Sequence, residues 1–140
     1  MAGKQDAAAA APVRNRYEFV LDQYVIALSV VMMLFGLRQW AVILGVIPGG
    51  GGTFEAMSTA WKIVTMHMAV VDLVAAVGLW MRVAWGKVVW VYAALSEVVI
   101  HTVFMNAFGS DLPKVAFHFL TLLVFLVLTI LARRHAEARS

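Results

Sequence analysis

Four long apolar stretches follow one another along this 140-residue chain, and each provides close to the 20 residues that a helix needs to cross a bilayer. Within hydrocarbon, such segments must satisfy their own backbone hydrogen bonds and therefore fold as helices. The chain is 63% hydrophobic, and its mean hydropathy is +0.86. We predict an all-α protein: an integral membrane four-helix bundle with no room for a separate soluble domain.

Turn and charge signals bound the predicted spans. We expect a membrane domain over residues 17–132, with spans at about 20–47, 61–80, 88–108 and 114–131. Pro48 and the glycines after it end the first span, and Thr53 or Ser58 caps the second helix. Residues 1–16 are predicted to form a disordered cytoplasmic tail, because their alanine-rich sequence buries little surface. Residues 133–140 form a short basic tail.

Basic residues are unevenly distributed between the two sides of the predicted membrane. Eight of the 11 lysines and arginines fall on one side: Lys4, Arg14, Arg16, Arg82, Lys87, Arg133, Arg134 and Arg139. The positive-inside rule therefore predicts that both termini are cytoplasmic, with the glycine loop and the Gly109 to Lys114 turn outside. This rule also explains the net charge of +3, so we expect no nucleic-acid partner.

Ionisable residues lie inside all four predicted spans, where an unpartnered charge is costly. At 1.5 Å per residue they all fall between the midplane and the outer leaflet. We predict that they meet in one polar cluster, consisting of Arg38, His67, Asp72, Glu97, His101 and His118.

Arg38 is the expected cation of this cluster. Its guanidinium can hold two carboxylates, so we predict a pair with Asp72, Glu97 or both. Two alternatives stay open. The network can serve only to fix helix register, or Arg38 can be an interfacial anchor together with Gln39 and Trp40.

Histidines on facing helices raise the possibility of a cofactor. His67 with His101, or His101 with His118, could ligate the iron of a haem b. We predict no metal centre besides this, because Glu97 and His101 form a single carboxylate–histidine pair, whereas carboxylate-bridged bundles use two. The chain has no cysteine, which excludes disulfides and thiolate ligands.

One stretch resembles the DoxX-like family of small four-span membrane proteins. The resemblance rests on the run from Asp72 to Leu79 (DLVAAVGL), on the basic turn at Arg82, on His101 and on Lys114, and it covers about Tyr17 to Leu131. It implies a location in the bacterial cytoplasmic (inner) membrane. It also implies an accessory subunit of the kind attached to oxidoreductases that act on sulfur compounds and quinones.

Three functions follow from these observations. The first is an accessory or assembly subunit, attached to a quinone-linked oxidoreductase, whose partners are the lipid bilayer and either another membrane subunit or a second copy. The second is a bis-His haem electron-transfer protein. The third is an oligomeric proton-coupled carrier that uses Asp72 and Glu97. No self-contained catalytic motif is present, which weighs against an enzyme.

Overall fold

A computed structural model describes residues 15–138, and these residues contain five helices and no β-strand. The helices are α1 (Arg16–Ile43), α2 (Thr59–Trp80), α3 (Ala84–Thr102), α4 (Met105–Phe108) and α5 (Leu112–Glu137). The all-α prediction is confirmed. Most of the predicted N-terminal tail, residues 1–14, lies outside the described residues, as do residues 139 and 140.

Three of these helices are long and apolar enough to cross a membrane, namely α1, α2 and α5. The helix α3 is not among these three, and it carries Lys87, Glu97 and His101 within its 19 residues. The buried face of α3 holds Glu97 and His101, while Leu95 and Val99 are exposed. The polar content of α3 is therefore turned toward the other helices.

Each long helix packs against two others. α1 contacts α2 and α5, and α3 contacts α2 and α5. The shared core contains Met32, Met68, Leu79 and Trp90. At one end, α2 and α3 approach so closely at Gly78 and Gly86 that a Cβ on Gly86 would overlap the backbone of Gly78.

The first helix ends earlier than the predicted residue 47. The left-handed Gly45 (φ 73°) terminates it, with the N–H of Val46 donating to the carbonyl of Ala41 and that of Gly45 to Val42. These two bonds are the Schellman motif that closes many helices. Gly45, and not Pro48, is therefore the stop signal.

The third predicted span is interrupted, and the fourth is longer than predicted. α3 ends at Thr102, where the N–H of Phe104 reaches back to the carbonyl of Val99, and a separate short helix follows. α5 begins after Asp111, whose side chain accepts a bond from the Lys114 N–H. It continues to Glu137, so most of the predicted basic tail is helical.

The start of α1, the α2–α3 turn and the end of α5, all predicted to be cytoplasmic, lie at one end of the molecule. Arg82, in the α2–α3 turn, pairs with Asp22 of α1 at 3.7 Å. Tyr17 of α1 stacks on His135 of α5 with ring centroids 4.5 Å apart. The α1–α2 loop and the α3–α5 connection lie together at the opposite end, where they enclose a cavity.

Candidate functional site: a polar cavity at one end of the helices

A cavity of about 540 Å³ lies between the ends of α1, α2, α3 and α5. Its size falls within the range of small-molecule sites. Its walls combine aromatic rings from Phe35, Trp61 and Phe108 with charged side chains from three helices and a connection. The charged and histidine side chains that line it are Arg38, Glu97, His101, Asp111 and Lys114.

The glycine loop of residues 49–52 packs on the ring of Trp61 and forms one wall of the cavity. Gly49 and Gly52 exchange backbone hydrogen bonds of 2.8 and 3.1 Å, which form a tight turn. A Cβ on Gly50 or Gly51 would lie 2.8 Å from the indole of Trp61. Trp61 in turn meets the edge of Phe108 with centroids 5.0 Å apart. The glycines are required because only a backbone without side chains fits flat on this ring.

Glu97 is the centre of the charged wall. It is 5% exposed, and its Oε2 lies 3.2 Å from His101 Nε2 and 3.7 Å from Lys114 Nζ. The ammonium of Lys114 also lies 3.8 Å from Asp111 Oδ2. A line of alternating charges therefore runs from the connection before α5 into the bundle.

Two further members of the predicted cluster lie deeper. Asp72 of α2 is 2% exposed and His118 of α5 is 1% exposed. Asp72 interacts electrostatically with Glu97 and Lys114, and His118 interacts with Lys114 and His101. The structure thus brings together four of the six predicted residues.

His118 is buried without polar contacts. Neither of its ring nitrogens has a hydrogen-bond partner among residues 15–138. Its ring packs against the edges of Phe35 and Phe117 instead. Buried polar groups without partners are rare and often mark a functional position or bound water.

Arg38 lines the cavity but is exposed. It forms no ion pair within 4.0 Å among the described residues, so the expected pair with Asp72 or Glu97 is not made. Lys114 occupies that role, and the sequence analysis did not assign it there. A usable signal existed, because Lys114 is four residues before His118 and therefore lies on the same face of its helix.

His67 does not join the other predicted residues. Its Nε2 lies 3.3 Å from the Tyr92 hydroxyl, and it does not line the cavity. Positions 67 and 72 are about 140° apart around a helix, so the two side chains leave α2 in different directions. Within residues 15–138, no group of three or more His, Cys, Asp or Glu residues could hold a metal ion.

The protein is thus helical, with three helices long enough to cross a bilayer and a cavity lined by charged side chains at one end. The chain belongs to a family of unknown function, DUF6163, which matches residues 19–136. No curated protein matches the sequence, and no solved structure matches it either.

Proposed function

We propose that this chain is an accessory subunit of the bacterial inner membrane, associated with a quinone-linked oxidoreductase, and that its cavity receives the ring of a quinone. The single observation that carries this proposal is the cavity of about 540 Å³, whose walls combine aromatic rings with the side chains of Arg38, Gln39 and Lys114. The resemblance to DoxX-like proteins agrees with the same assignment.

The hydrogen-bond donors that line the cavity favour a ligand with acceptor oxygens. Arg38, Gln39 and the ammonium of Lys114 line the cavity. The side chains of Arg38 and Gln39 donate no hydrogen bond within residues 15–138, whereas Lys114 is shared between Glu97 at 3.7 Å and Asp111 at 3.8 Å. A buried or half-buried donor without a partner is unfavourable, so a ligand that accepts from it is stabilised. A quinone ring presents two carbonyl oxygens and a flat face, which suit these donors and the rings of Phe35 and Trp61.

In this proposal the protein is a bundle of four spans, with α3 as the fourth. The exposed residues Val88, Leu95 and Val99 give α3 an apolar outer surface, and its charged residues Glu97 and His101 are covered by its neighbours. Both termini are cytoplasmic, because Arg16, Arg82 and the arginines near the end of α5 share one end of the molecule. The cavity then opens on the outer side.

A quinone titration tests the ligand. Purified protein in nanodiscs is titrated with a short-chain ubiquinone while tryptophan fluorescence is recorded, because Trp61 forms part of the wall. We expect saturable quenching that weakens at least about tenfold in Lys114→Met, the loss of one charged donor. The matched control is Lys62→Met, a lysine that does not line the cavity. Quenching that is linear, or equal in all three proteins, contradicts the proposal.

A proton-coupled carrier is the second candidate. It is favoured by Asp72, a carboxylate 2% exposed within electrostatic reach of Glu97, since intramembrane carboxylates commonly bind and release protons. As a carrier the protein would act as an oligomer. Proton flux into proteoliposomes that is equal in wild type and Asp72→Asn would exclude this function.

The bis-His haem alternative receives no support from the positions of the side chains. Both ring nitrogens of His101 are engaged, one by Glu97 and the other by the carbonyl of Gly109. His67 contacts Tyr92 instead. A Soret band in the purified protein that is lost in His101→Ala would restore this alternative.

A further inference from the structure

We propose that Glu97 and His101 together bind one proton, and that this proton holds the connection between α3 and α5 closed over the cavity. The proposal is independent of the partner and of the ligand suggested above. It rests on the two contacts of one imidazole ring, on the charges around it, and on the position of Gly109 at the cavity wall.

His101 faces an acceptor on each side. Its Nδ1 lies 3.2 Å from the carbonyl oxygen of Gly109, and its Nε2 lies 3.2 Å from Glu97 Oε2. A carbonyl oxygen can only accept, and so can an ionised carboxylate. Neutral histidine has a single N–H and can satisfy only one of these two contacts. At the other contact, two lone pairs would face each other.

One additional proton satisfies both contacts. It can reside on the imidazole, which then donates from both nitrogens, with Glu97 ionised. Alternatively it resides on Glu97, whose O–H donates to Nε2 while the Nδ1–H donates to Gly109. Both arrangements contain one proton more than a neutral histidine beside an ionised glutamate, so the pair acts as a single proton-binding site.

The surrounding charges favour the same protonation. Asp72 from α2 and Lys114 from α5 are the charged groups that face the pair from the neighbouring helices. With both carboxylates ionised, Asp72, Glu97 and Lys114 sum to a charge of minus one, and Asp111 beside Lys114 adds a further negative charge. One bound proton therefore reduces the excess negative charge of this group. A net charge within the membrane is costly. His118 also approaches His101, and Asp111 and Arg38 lie at the exposed side of the cavity.

The contact with Gly109 connects this proton to the cavity wall. Gly109 has a φ of 73° and ends the short helix α4, whose Phe108 supports Trp61. When the proton leaves to water on the cavity side, one of the two contacts of His101 is lost. Loss of the contact with Gly109 weakens the attachment of residues 103–110, which are then held by backbone hydrogen bonds to Val99 and by the packing of Phe108 on Trp61. Proton release then opens the cavity.

Nitrogen and carbon NMR of histidine- and glutamate-labelled protein in lipid tests the proton directly. His101 is assigned by the signal that disappears in His101→Gln. Near pH 7, we expect either two protonated ring nitrogens or a neutral ring beside a protonated Glu97 carboxyl. In Glu97→Gln the amide donates to Nε2, so a neutral ring satisfies both contacts without the additional proton. A neutral His101 beside an ionised Glu97 in the wild type would overturn the proposal.

A spin label on the connection tests the opening. The chain has no cysteine, so Ser110→Cys gives one label at the cavity, and Glu55→Cys gives a matched label on the α1–α2 loop. As the pH is raised and the shared proton is released, we expect the Ser110→Cys label to become mobile and the Glu55→Cys label to stay unchanged. Adding Glu97→Gln should abolish the pH response at the first site. A pH response that is retained in that variant, or that is equal at both labelled sites, contradicts the proposal that the shared proton holds the connection closed.

Discussion

The ammonium of Lys114 lies 3.7 Å from the carboxylate of Glu97 and connects α5 to α3 at the cavity. Glu97 is nearly inaccessible, whereas the Lys114 side chain is 30% exposed at the cavity. The pair therefore combines a buried anion with a cation that a ligand can reach.

Removing Lys114 should leave Glu97 without its cation. Breaking a buried pair costs about 3–5 kcal/mol, and an exposed pair costs about 0–1 kcal/mol, so we expect Lys114→Met to lower stability by about 2 kcal/mol. Thermal unfolding in detergent measures the difference. The double variant Lys114→Met with Glu97→Gln should recover most of the loss. Stability equal to that of Lys62→Met would show that the pair contributes nothing.

Removing the charge of Asp72, unlike removing that of Lys114, should not lower the stability of the protein. Its carboxylate is buried and the negative charge of Glu97 acts on it, so we expect Asp72→Asn to leave stability unchanged or raise it by about 1 kcal/mol. The same thermal unfolding assay gives the comparison. A loss of more than about 1 kcal/mol would indicate a partner that stabilises the ionised carboxylate.

Two glycines should differ in their tolerance of a methyl group. In Gly86→Ala the new Cβ meets the backbone of Gly78, which cannot move without separating α2 from α3. In Gly36→Ala it meets the side chain of Leu73 at 2.7 Å and the backbone nitrogen of Leu73 only at 3.2 Å, so most of the overlap is with a side chain that can shift. We expect a cost of about 1–3 kcal/mol for Gly36→Ala and a larger one for Gly86→Ala. The reverse order would contradict the packing described here.

Orientation can be tested with single cysteines. In spheroplasts, a membrane-impermeant maleimide should modify Ser110→Cys and Glu55→Cys, both near the cavity, but not Ala84→Cys at the opposite end of α3. Permeabilised membranes provide the control, in which all three should react. Modification of Ala84→Cys in intact spheroplasts, with no reaction at Ser110→Cys, would invert the proposed topology.

The sequence predicts where helices lie and how deep their residues are better than it predicts the direction in which each side chain points. The second helix was predicted at 61–80 and extends over Thr59–Trp80, because the Ser58 side chain caps it by accepting from the Trp61 N–H. The first helix was predicted to run on to 47 because Gly45 was not recognised as its stop signal. The end of a helix can thus be predicted from the sequence where a recognisable capping residue marks it.

The candidate site shows the same limit. The rise per residue along a helix predicts that four residues lie at similar depths in the membrane. The structure brings these four together: Asp72, Glu97, His101 and His118. The direction in which a side chain leaves its helix depends on how the helices rotate and pack. For that reason the sequence placed Arg38 and His67 in the cluster, whereas packing leaves Arg38 exposed at the cavity and directs His67 to Tyr92. Lys114 enters by the same packing of α5 on α3.

Native mass spectrometry of the protein extracted gently from its own host membranes tests the central claim most directly. One spectrum reports bound small molecules, copurifying subunits and oligomer number. The account predicts a complex with another membrane polypeptide that carries a quinone mass, and predicts that the quinone mass is lost in Lys114→Met but kept in Lys62→Met. A monomer or homo-oligomer that carries only lipid would contradict it.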